Sequence, residues 1–502
     1  MHPMGFFYDQ GAAYVHGEWG NPIAHIAREA GIQLKQVSPR NPWINASASE
    51  IALFWGGVRA SDKDMARTEK HWKGLMTQVG KMASKCKDSW APLSAAVEVI
   101  LAKDPFSSLT IEDMGRLRFR VLMLGLWNGC DVEELQSQEF CAGIGGEGTY
   151  GDFPGPHSLV EGGMSQIVQA IATSDVLMTL RLNSKATCIS LRQPRRDGCM
   201  HRDSNDRDDN CDYYSNETEG RVNWLDEESL RDQKLNGDLK EMVSVHLSSG
   251  EEMTAEAVVV AVPLSVLQTE LLEFDPPLPE ERRSILSRLS LGAYEKVLIE
   301  FEDTFWPDVP FIGCCASEAP SSTTTTAPNR SSSFSTSLSS TGLLLENYHW
   351  SKGVPVIVAV FCGTRARQLS ALIAAASGAT TALGTGEEAV AQMDSESALE
   401  AYQRMILPIL EEALGGGETI PEPVSVIATS WAAQPLCQGS YSFFPLGAKD
   451  SDAPKSGESV GHRLYFAGEA TSAEFQGSVH GAFISGIRVA EEIASAFYPD
   501  II

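Results

Sequence analysis

The segment from Leu464 to Gly486, LYFAGEATSAEFQGSVHGAFISG, constrains the fold of this chain more than any other. Arg463 to Ala467 is a short apolar run, which predicts a strand, and a glycine-containing turn follows it. From His480 to Phe497 the apolar residues recur at spacings of three and four, which predicts one apolar face of a helix. The residues expected on that face are Phe483, Ile487, Ala490, Ala494 and Phe497.

The turn between this strand and helix carries groups suited to a polar ligand. Gly468 lets the backbone approach a ligand closely, and the Glu469 carboxylate is an acceptor for sugar-like hydroxyls. A helix beginning near Ser478 presents N–H groups and the positive end of its dipole to an electron-rich oxygen. An ordinary strand-to-helix connection has the same elements without a ligand, so a Gly-Glu pair alone is weak support for a site.

Size and apolar patterning indicate a large α/β protein with more than one domain. A chain of 502 residues with 43% apolar content is too long for one core. Its longest apolar runs, such as Ala257 to Val262, are far shorter than the roughly 20 residues that span a bilayer, so no membrane span is expected. This valine-rich run, ended by Pro263, instead predicts a strand buried on both faces in the middle of a sheet.

Charge and cysteine usage restrict the partners and the compartment. The net charge of -27 argues against nucleic acid and favours cationic small molecules, although acidity also serves solubility. The ten cysteines show no CxxC pair and no metal-ligand spacing, so no metal site is expected and the thiols are expected to be reduced. Met1 to Tyr8 carries no readable targeting signal, and we expect a cytoplasmic protein.

Two polar segments, 193–220 and 317–342, are predicted to be disordered loops because small and polar residues replace nearly all large apolar ones. A third segment, 377–397, is rich in Ala, Gly and Thr and is expected to enlarge a helical connection. None of the three contains a plausible catalytic constellation.

The C-terminal string resembles the flavin motif of the amine oxidase family, which includes monoamine oxidases, polyamine oxidases and flavin-dependent histone demethylases. The resemblance implies FAD as the cofactor, with Gly468 and Ser478 in its site, Glu469 at the ribityl chain and Val479 at the flavin pyrimidine. Asp9 to Ile23, DQGAAYVHGEWGNPI, is similar to another family segment. That similarity implies that Gly11 and Ala12 contact the cofactor and that His16 lies near the substrate channel.

Two further segments resemble family segments that lie near the reacting atoms of the flavin and the amine. LGAYEKVLIEFEDTFW, ending at Trp306, resembles the segment whose lysine holds a water at flavin N5, which implies a catalytic role for Lys296. By pattern alone, Lys296 is a solvent-facing strand residue that shares its face with Leu298 and Glu300. WAAQPLCQGSYS resembles the segment whose two aromatic rings flank the amine, which implies that Trp431 and Tyr441 line a slot over the flavin.

The remaining assignments concern the adenine end of FAD and the far end of the amine substrate. LRLNSKATCI resembles the segment that contacts the adenine through its backbone, which assigns Ala186 to the cofactor. The FPGPH string from Phe153 resembles a polyamine oxidase segment with acidic residues just upstream. Glu147 and Asp152 are therefore candidates for the remote carboxylate that holds the far ammonium of a polyamine.

The resemblance implies an α/β fold with a Rossmann-like FAD-binding domain (residues 1–30, 155–268 and 436–502) and an α+β substrate-binding domain (31–154 and 269–435). Family members begin with a strand, a GxGxxG turn and a helix before the segment matched by Asp9. Only eight residues precede Asp9 here, so this unit is expected to be missing and FAD binding to be weak. The Gly cluster at 143–148 is not that fingerprint.

The implied reaction is oxidation of a cationic amine of the spermine or spermidine class to an imine, with hydrogen peroxide formed from dioxygen. Two alternatives stay open: a cofactor-free relative that acts as a binding or regulatory protein, and a histone-demethylase-like amine oxidase. The chain shows no long charged heptad insertion for a coiled-coil arm, which argues against the latter. The preferred amine and the oligomeric state are left undetermined.

Overall fold

The computed structural model describes residues 7–83, 91–137, 152–173, 179–192, 242–269, 271–315, 342–376, 395–416, 419–449, 451–461 and 463–498. The predicted loop 193–220, the predicted loop 317–342 except Gly342, and most of the segment 377–397 lie outside these ranges. So does Glu147. Gly342 is the first residue of a strand.

The described part of the chain has a mixed α/β architecture. Its strands are β1 (Tyr14–Val15), β2 (Leu34–Ser38), β3 (Ile51–Trp55), β4 (Val58–Arg59), β5 (His157–Val160), β6 (Ala186–Arg192), β7 (Met242–Leu247), β8 (Glu252–Ala255), β9 (Val258–Val260), β10 (Glu273–Asp275), β11 (Ser290–Leu291), β12 (Tyr294–Glu300), β13 (Phe311–Cys315), β14 (Gly342–Asn347), β15 (Val356–Cys362), β16 (Ser425–Ala428), β17 (Ser442–Phe443) and β18 (Leu464–Phe466).

Its α-helices are α1 (Pro22–Glu29), α2 (Pro42–Asn45), α3 (Asp62–Ala83), α4 (Leu93–Leu101), α5 (Ile111–Asn128), α6 (Ser165–Thr173), α7 (Leu264–Gln268), α8 (Glu280–Leu286), α9 (Tyr348–Lys352), α10 (Gly363–Ala376), α11 (Ser395–Ala401), α12 (Leu407–Ala413), α13 (Asp452–Ser456) and α14 (Val479–Phe497). Short 3-10 turns lie at Phe106–Ser108, Trp431–Ala433 and Glu469–Thr471, and a π-helical turn at Tyr402–Ile406 joins α11 to α12. None of the described helices is long and apolar enough to cross a bilayer.

The largest sheet has seven strands in the order β16-β12-β15-β14-β13-β3-β4. Its interior strand β15, VIVAVFC, is buried at every residue, as expected for a strand covered on both faces. Val297 and Ile299 of β12 pack with helices α10, α11 and α12, whereas Leu298 packs with α5 on the opposite face. All seven strands fall within the predicted substrate-binding domain.

The smaller sheets contain most of the strands predicted for the FAD-binding domain. Four strands pair in the order β10-β6-β7-β8, three in the order β1-β5-β2, and β18 pairs in parallel with β9. Strand β10 lies beyond the predicted boundary at residue 268 but pairs with β6. The domain boundaries themselves stay predictions.

The apolar run at Ala257 to Val262 was expected to be buried on both faces, and this prediction is wrong. Only Val258–Val260 form the strand β9, and Val259 is 46% exposed. Val260, on the other face, is only 3% exposed, so packing covers one face of the strand; among the described residues β9 pairs with β18 alone. A short run of valines specifies the extended conformation but does not specify how many layers cover it.

Helix α14 forms where the periodicity predicts, yet its buried face is different. Phe483 and Phe497 are partly buried, whereas Ile487 is 45% exposed and Ala490 is also exposed. The buried stripe instead includes the small residues Gly481 and Ser485 together with Val489. Small side chains allow the helix to pack close to the preceding turn. Hydrophobic periodicity does not predict this effect, because it counts only apolar residues.

A matched pair of glycine substitutions tests this close approach. A Cβ at Gly481 would lie 2.0 Å from the Phe475 carbonyl oxygen, whereas a Cβ at Gly486 would meet nothing within 4 Å. Gly481→Ala is therefore expected to destabilise the protein by about 1–3 kcal/mol. Gly486→Ala is expected to stabilise it by up to about 1 kcal/mol, since alanine is the better helix former. Thermal unfolding followed by circular dichroism measures both, and equal shifts in the midpoint would contradict the close packing.

Candidate active site

A cavity of about 1170 Å³ lies where the seven-stranded sheet meets the C-terminal turn and helix. Most of the residues proposed from the sequence lie along its wall, although they come from distant parts of the chain. These residues are Gly11, Ala12, His16, Asp152, Lys296, Trp431, Tyr441, Glu469, Ser478 and Val479. Gly468 precedes Glu469 just outside the lining, and Ala186 lies at the start of β6, away from the cavity wall.

Lys296 is 3% exposed, so the pattern-based expectation of a solvent-facing lysine is wrong. Helices cover both faces of β12, which buries every residue from Glu295 onward. Nζ of Lys296 donates hydrogen bonds to the carbonyl oxygens of Asp9 at 2.9 Å and Gly11 at 2.8 Å. The ammonium therefore fixes the N-terminal segment against the cavity and is itself part of the wall.

Both aromatic residues of the predicted slot are held by hydrogen bonds to backbone carbonyls. Nε1 of Trp431 donates to the Gln10 carbonyl oxygen at 3.1 Å, and the Tyr441 hydroxyl donates to the Leu126 carbonyl oxygen at 2.9 Å. The ring of Tyr294 lies 6.1 Å from that of Tyr441. The rings thus have fixed orientations along the cavity wall.

Glu295 holds the turn that carries Trp431 and was not singled out in the sequence. Its carboxylate is fully buried, accepts a hydrogen bond from the Thr429 hydroxyl at 2.5 Å, and accepts another from the Ala432 backbone N–H at 2.9 Å. Burial raises the pKa of this carboxyl group, and these hydrogen bonds oppose the increase. A glutamate in the strand pattern YEKVLIE has no feature that reveals this role, because the partners are more than 130 residues away.

Glu469 joins the C-terminal turn to the Gly-Ser-Tyr-Ser segment. Its carboxylate accepts hydrogen bonds from the Ser442 hydroxyl at 2.6 Å, the Ser442 N–H at 3.1 Å and the Gly477 N–H at 2.6 Å. Burial raises the pKa of Glu469. A carboxylate offers about four acceptor positions, so one remains for a hydroxyl of a ligand in the cavity.

Ser478 caps helix α14, as the sequence predicts, by accepting a hydrogen bond from the Gly481 N–H at 3.0 Å. Val479 is the first helical residue and lines the cavity. The positive end of the helix dipole therefore lies at the cavity wall, where it favours an electron-rich group.

His16 belongs to a buried polar cluster at another part of the wall. Its Nδ1 lies 3.2 Å from Nδ1 of His157, and Nε2 of His157 lies 3.8 Å from Oδ2 of Asp152. The rings of Trp43 and Trp127 lie 5.5 Å and 4.8 Å from the His16 ring.

The two histidines are neutral because burial opposes their charged forms. Burial, reinforced by the neighbouring His480, lowers the pKa of His157 to about 3. Burial, with smaller effects of His157 and His480, lowers the pKa of His16 well below its usual value. Burial has the opposite effect on the carboxyl group of Asp152 and raises its pKa to about 8.

The lowered pKa values of the two histidines predict a loss of stability in mild acid. The unfolded chain takes up protons on histidine below about pH 6.5, whereas the folded His157 does not. The contribution of these histidines to stability is therefore full above pH 6.5 and falls as the pH drops towards 3, with a limiting slope of about 1.4 kcal/mol per pH unit for each such histidine. Denaturant unfolding between pH 6.5 and 5 should show a shallower fall for His157→Gln. His25→Gln, which changes an exposed histidine paired with Glu29, is the control and should keep the full slope.

The cavity wall carries hydrogen-bonding atoms that the described residues do not satisfy. Buried atoms without a partner include Gln476 Nε2, Ser440 Oγ, Gln136 Oε1 and Asp152 Oδ1, and all four residues line the cavity. Buried polar atoms are ordinarily hydrogen-bonded. Their concentration here fits a site completed by a polar ligand, and the cavity is larger than the roughly 300–1,000 Å³ of most small-ligand sites.

The acidic side chains on the described wall outnumber the basic ones. Carboxylates of Asp152, Glu346, Glu469 and Glu474 line the cavity together with a single lysine, Lys296. Sequence reasoning missed Glu346, which lies in β14 and is 3% exposed, because a glutamate at the end of a leucine-rich strand carries no motif. It also missed the aromatic residues Trp43, Trp127, Phe153 and Tyr294, which line the cavity from separate elements.

The sequence profile described as "Flavin containing amine oxidoreductase" matches residues 1–214 and 233–494, and the chain belongs to this family. Membership confirms the predicted class of protein, a flavin-dependent amine oxidase, and implies FAD as the cofactor.

Polyamine oxidases match nearly the whole chain. Polyamine oxidase 4 of Oryza sativa subsp. japonica is 24% identical over 96% of this chain and 78% of its own length. Polyamine oxidase 2 of Arabidopsis thaliana is 24% identical over 97% of this chain and 79% of its own. Lysine-specific histone demethylase 1 homolog 3 of Arabidopsis thaliana is 27% identical over 68% of this chain, which spans only 16% of that protein.

Proposed function

We propose that the protein catalyses FAD-dependent oxidation of polyamines or related amines to imines, with dioxygen as the electron acceptor and hydrogen peroxide as a product. The observation that carries this proposal is the convergence of Lys296, Trp431 and Tyr441 on one cavity with a mostly acidic wall. The similarity of the chain to polyamine oxidases supports the choice of substrate class.

The residues that would hold FAD are those with the hydrogen-bonding and dipolar character described above. Glu469 has an acceptor position left for a hydroxyl, Val479 lies at the positive end of α14, and Gly11 and Ala12 present backbone to the cavity. Bound FAD supplies the capacity to accept two electrons from the carbon adjacent to the amine nitrogen. The contact of Ala186 with the adenine stays a prediction.

The aromatic slot would prepare the reacting amine. An amine must be neutral at nitrogen to be oxidised, and desolvation disfavours the charged ammonium. Trp431 and Tyr441 line the cavity with fixed ring positions and would exclude water from the end of the cavity where they lie. Lys296, held by two carbonyl oxygens, is positioned to bind a water or move a proton at this end.

The acidic wall would hold the remaining ammonium groups of a polyamine. Asp152 is buried, and its Oδ1 has no partner among the described residues. A cationic ligand placed beside it would favour the ionised carboxylate and offset the cost of burial. Holding a distant ammonium sets which carbon lies at the reacting end. Glu147 stays a second candidate.

Peroxide formation by the purified full chain tests this function. The protein is titrated with FAD, the bound yellow chromophore is separated by ultrafiltration, and peroxide is measured with spermine, spermidine, their acetylated forms, simple monoamines and a methylated histone peptide. We expect FAD binding and peroxide from a polyamine. A colourless protein in saturating FAD would support the cofactor-free alternative and contradict the proposal. Turnover of the histone peptide alone would favour the demethylase-like alternative.

The same titration tests the weak FAD binding expected from the sequence. The cytoplasmic compartment is likewise proposed, in accord with the six described cysteines, all of which are free thiols.

A further inference from the structure

The cluster of His16, His157 and Asp152, of which His16 is partly buried and the other two are buried, has the donor set of a transition-metal site. Each residue offers one ligand atom, and the three atoms lie within 4.8 Å of one another. His16 follows strand β1, Asp152 precedes β5 and His157 begins it, and the antiparallel pairing of β1 with β5 brings these positions together. The sequence separation is unlike that of a local metal motif, so only folding reveals the cluster.

The spacing of the two imidazoles suits a tetrahedral ion. Zinc forms Zn–N bonds of about 2.0–2.1 Å, which places two nitrogen ligands roughly 3.3–3.4 Å apart at tetrahedral angles. Nδ1 of His16 and Nδ1 of His157 are separated by 3.2 Å. The imidazole that donates in this contact would have to move its proton to Nε2 before its Nδ1 could ligate, a tautomeric change that leaves the ring neutral.

The carboxylate lies beside the imidazole of His157, with Oδ2 of Asp152 3.8 Å from Nε2 of His157, and it would have to shift to form a third bond to an ion held at the two Nδ1 atoms. Nδ2 of Asn41 donates to Oδ2 of Asp152 at 2.7 Å, which fixes the group from one side. Oδ1 of Asp152 is buried and has no hydrogen-bond partner in the described part of the chain. A polar partner that holds a ligating carboxylate in this way is a regular feature of metal sites.

The chemistry of the donors selects the class of ion. Two imidazole nitrogens and one carboxylate oxygen suit zinc and similar divalent transition metals, whereas magnesium and calcium require six or more oxygen ligands. Three protein ligands leave one position open. Since His16 and Asp152 line the cavity, that position would be on the cavity side.

We propose that His16, His157 and Asp152 bind one zinc-class divalent ion at the wall of the cavity. Binding of the ion does not depend on the proposed enzymatic function. The consequence of zinc binding does rest on that proposed function. Zinc bound to Asp152 would occupy the carboxylate proposed to hold the distal ammonium, so zinc would compete with polyamines.

The test is zinc binding to the metal-stripped full chain, measured by equilibrium dialysis and elemental analysis. We expect one zinc per chain, no comparable binding of Mg²⁺, and affinity lowered about 100-fold or more in His157→Gln and Asp152→Asn. His25→Gln, at an exposed histidine, is the matched control and should bind as the unchanged protein does. Absence of zinc from the unchanged protein, or undiminished binding by a folded His157→Gln, would overturn the proposal.

Cobalt provides a second readout. Its absorption spectrum reports the ligand atoms directly, so it detects binding to cysteines and does not rest on the affinity of a misfolded variant. Co²⁺ bound by nitrogen and oxygen ligands gives visible bands without the intense near-ultraviolet absorption of thiolate ligation. We expect such a spectrum from the unchanged protein and its loss in His16→Gln. Thiolate absorption would place the ion at cysteines and refute the site. Zinc binding without oxidation of any amine would leave this site standing and remove the proposed function.

Discussion

Replacing Lys296 by methionine is expected to lower the rate of amine oxidation by at least about 100-fold while the chain still folds and retains FAD. Positioned groups that move protons contribute about 10²–10⁴-fold to rates. Methionine keeps much of the side-chain volume but removes every donor. Stopped-flow absorbance of the flavin, mixed with spermine under anaerobic conditions and then with dioxygen, separates the two half-reactions.

The structural cost of this substitution needs its own control because Lys296 also holds two backbone carbonyls. Lys35 provides it: Nζ of Lys35 donates to the carbonyl oxygens of Trp350 and Ser351, both at 2.9 Å, and Lys35 does not line the cavity. Lys35→Met should lower stability to a comparable degree, about 1–3 kcal/mol for unsatisfied acceptors, with unchanged turnover. Loss of bound FAD in Lys296→Met would show that Lys296 is structural, and unimpaired flavin reduction and reoxidation would contradict a catalytic role.

Replacing Asp152 by asparagine is expected to reduce kcat/KM for spermine by about 100-fold or more. Removing one partner of a buried, hydrogen-bonded charge pair costs about 2–5 kcal/mol. A simple monoamine has no distal ammonium, so its kcat/KM should change little. Steady-state peroxide assays with the two substrates measure the difference, and an equal loss for both would contradict the anchoring role.

The pH dependence of stability shows whether the Asp152→Asn protein is intact. The folded pKa of Asp152, about 8, lies above the unfolded value of 3.8, so the folded state holds this proton more tightly. The unchanged protein therefore loses stability from this group as the pH rises from about 4 to about 8. Asparagine removes that loss, and the variant should be no less stable than the unchanged protein at pH 8.

Glu474→Gln is the matched control for charge. Glu474 lines the same cavity but is exposed, and exposed charges contribute about 0–1 kcal/mol. Its removal should change kcat/KM for spermine by less than about 5-fold. A comparable loss in both variants would mean that the overall acidity of the cavity, rather than Asp152, holds the substrate.

Local interactions along the chain set the secondary-structure elements around the site, and short motifs indicated the class of protein. The strand at Leu464, the cap at Ser478 and the helix ending at Phe497 depend on interactions within a few residues, which apolar period and capping chemistry encode directly. The family strings likewise indicated which residues meet at the cavity, since they preserve the order and local chemistry of a shared site.

Which of these residues are buried, and which groups support them, depends on contacts between segments that are distant in the chain. Lys296 is buried because helices distant in sequence cover both faces of its strand, and Glu295 supports Trp431 across more than 130 residues. The cluster of His16, Asp152 and His157 exists because β1 pairs with β5. Burial and contact between distant segments depend on how whole elements pack, and local patterns of a single chain do not specify that packing.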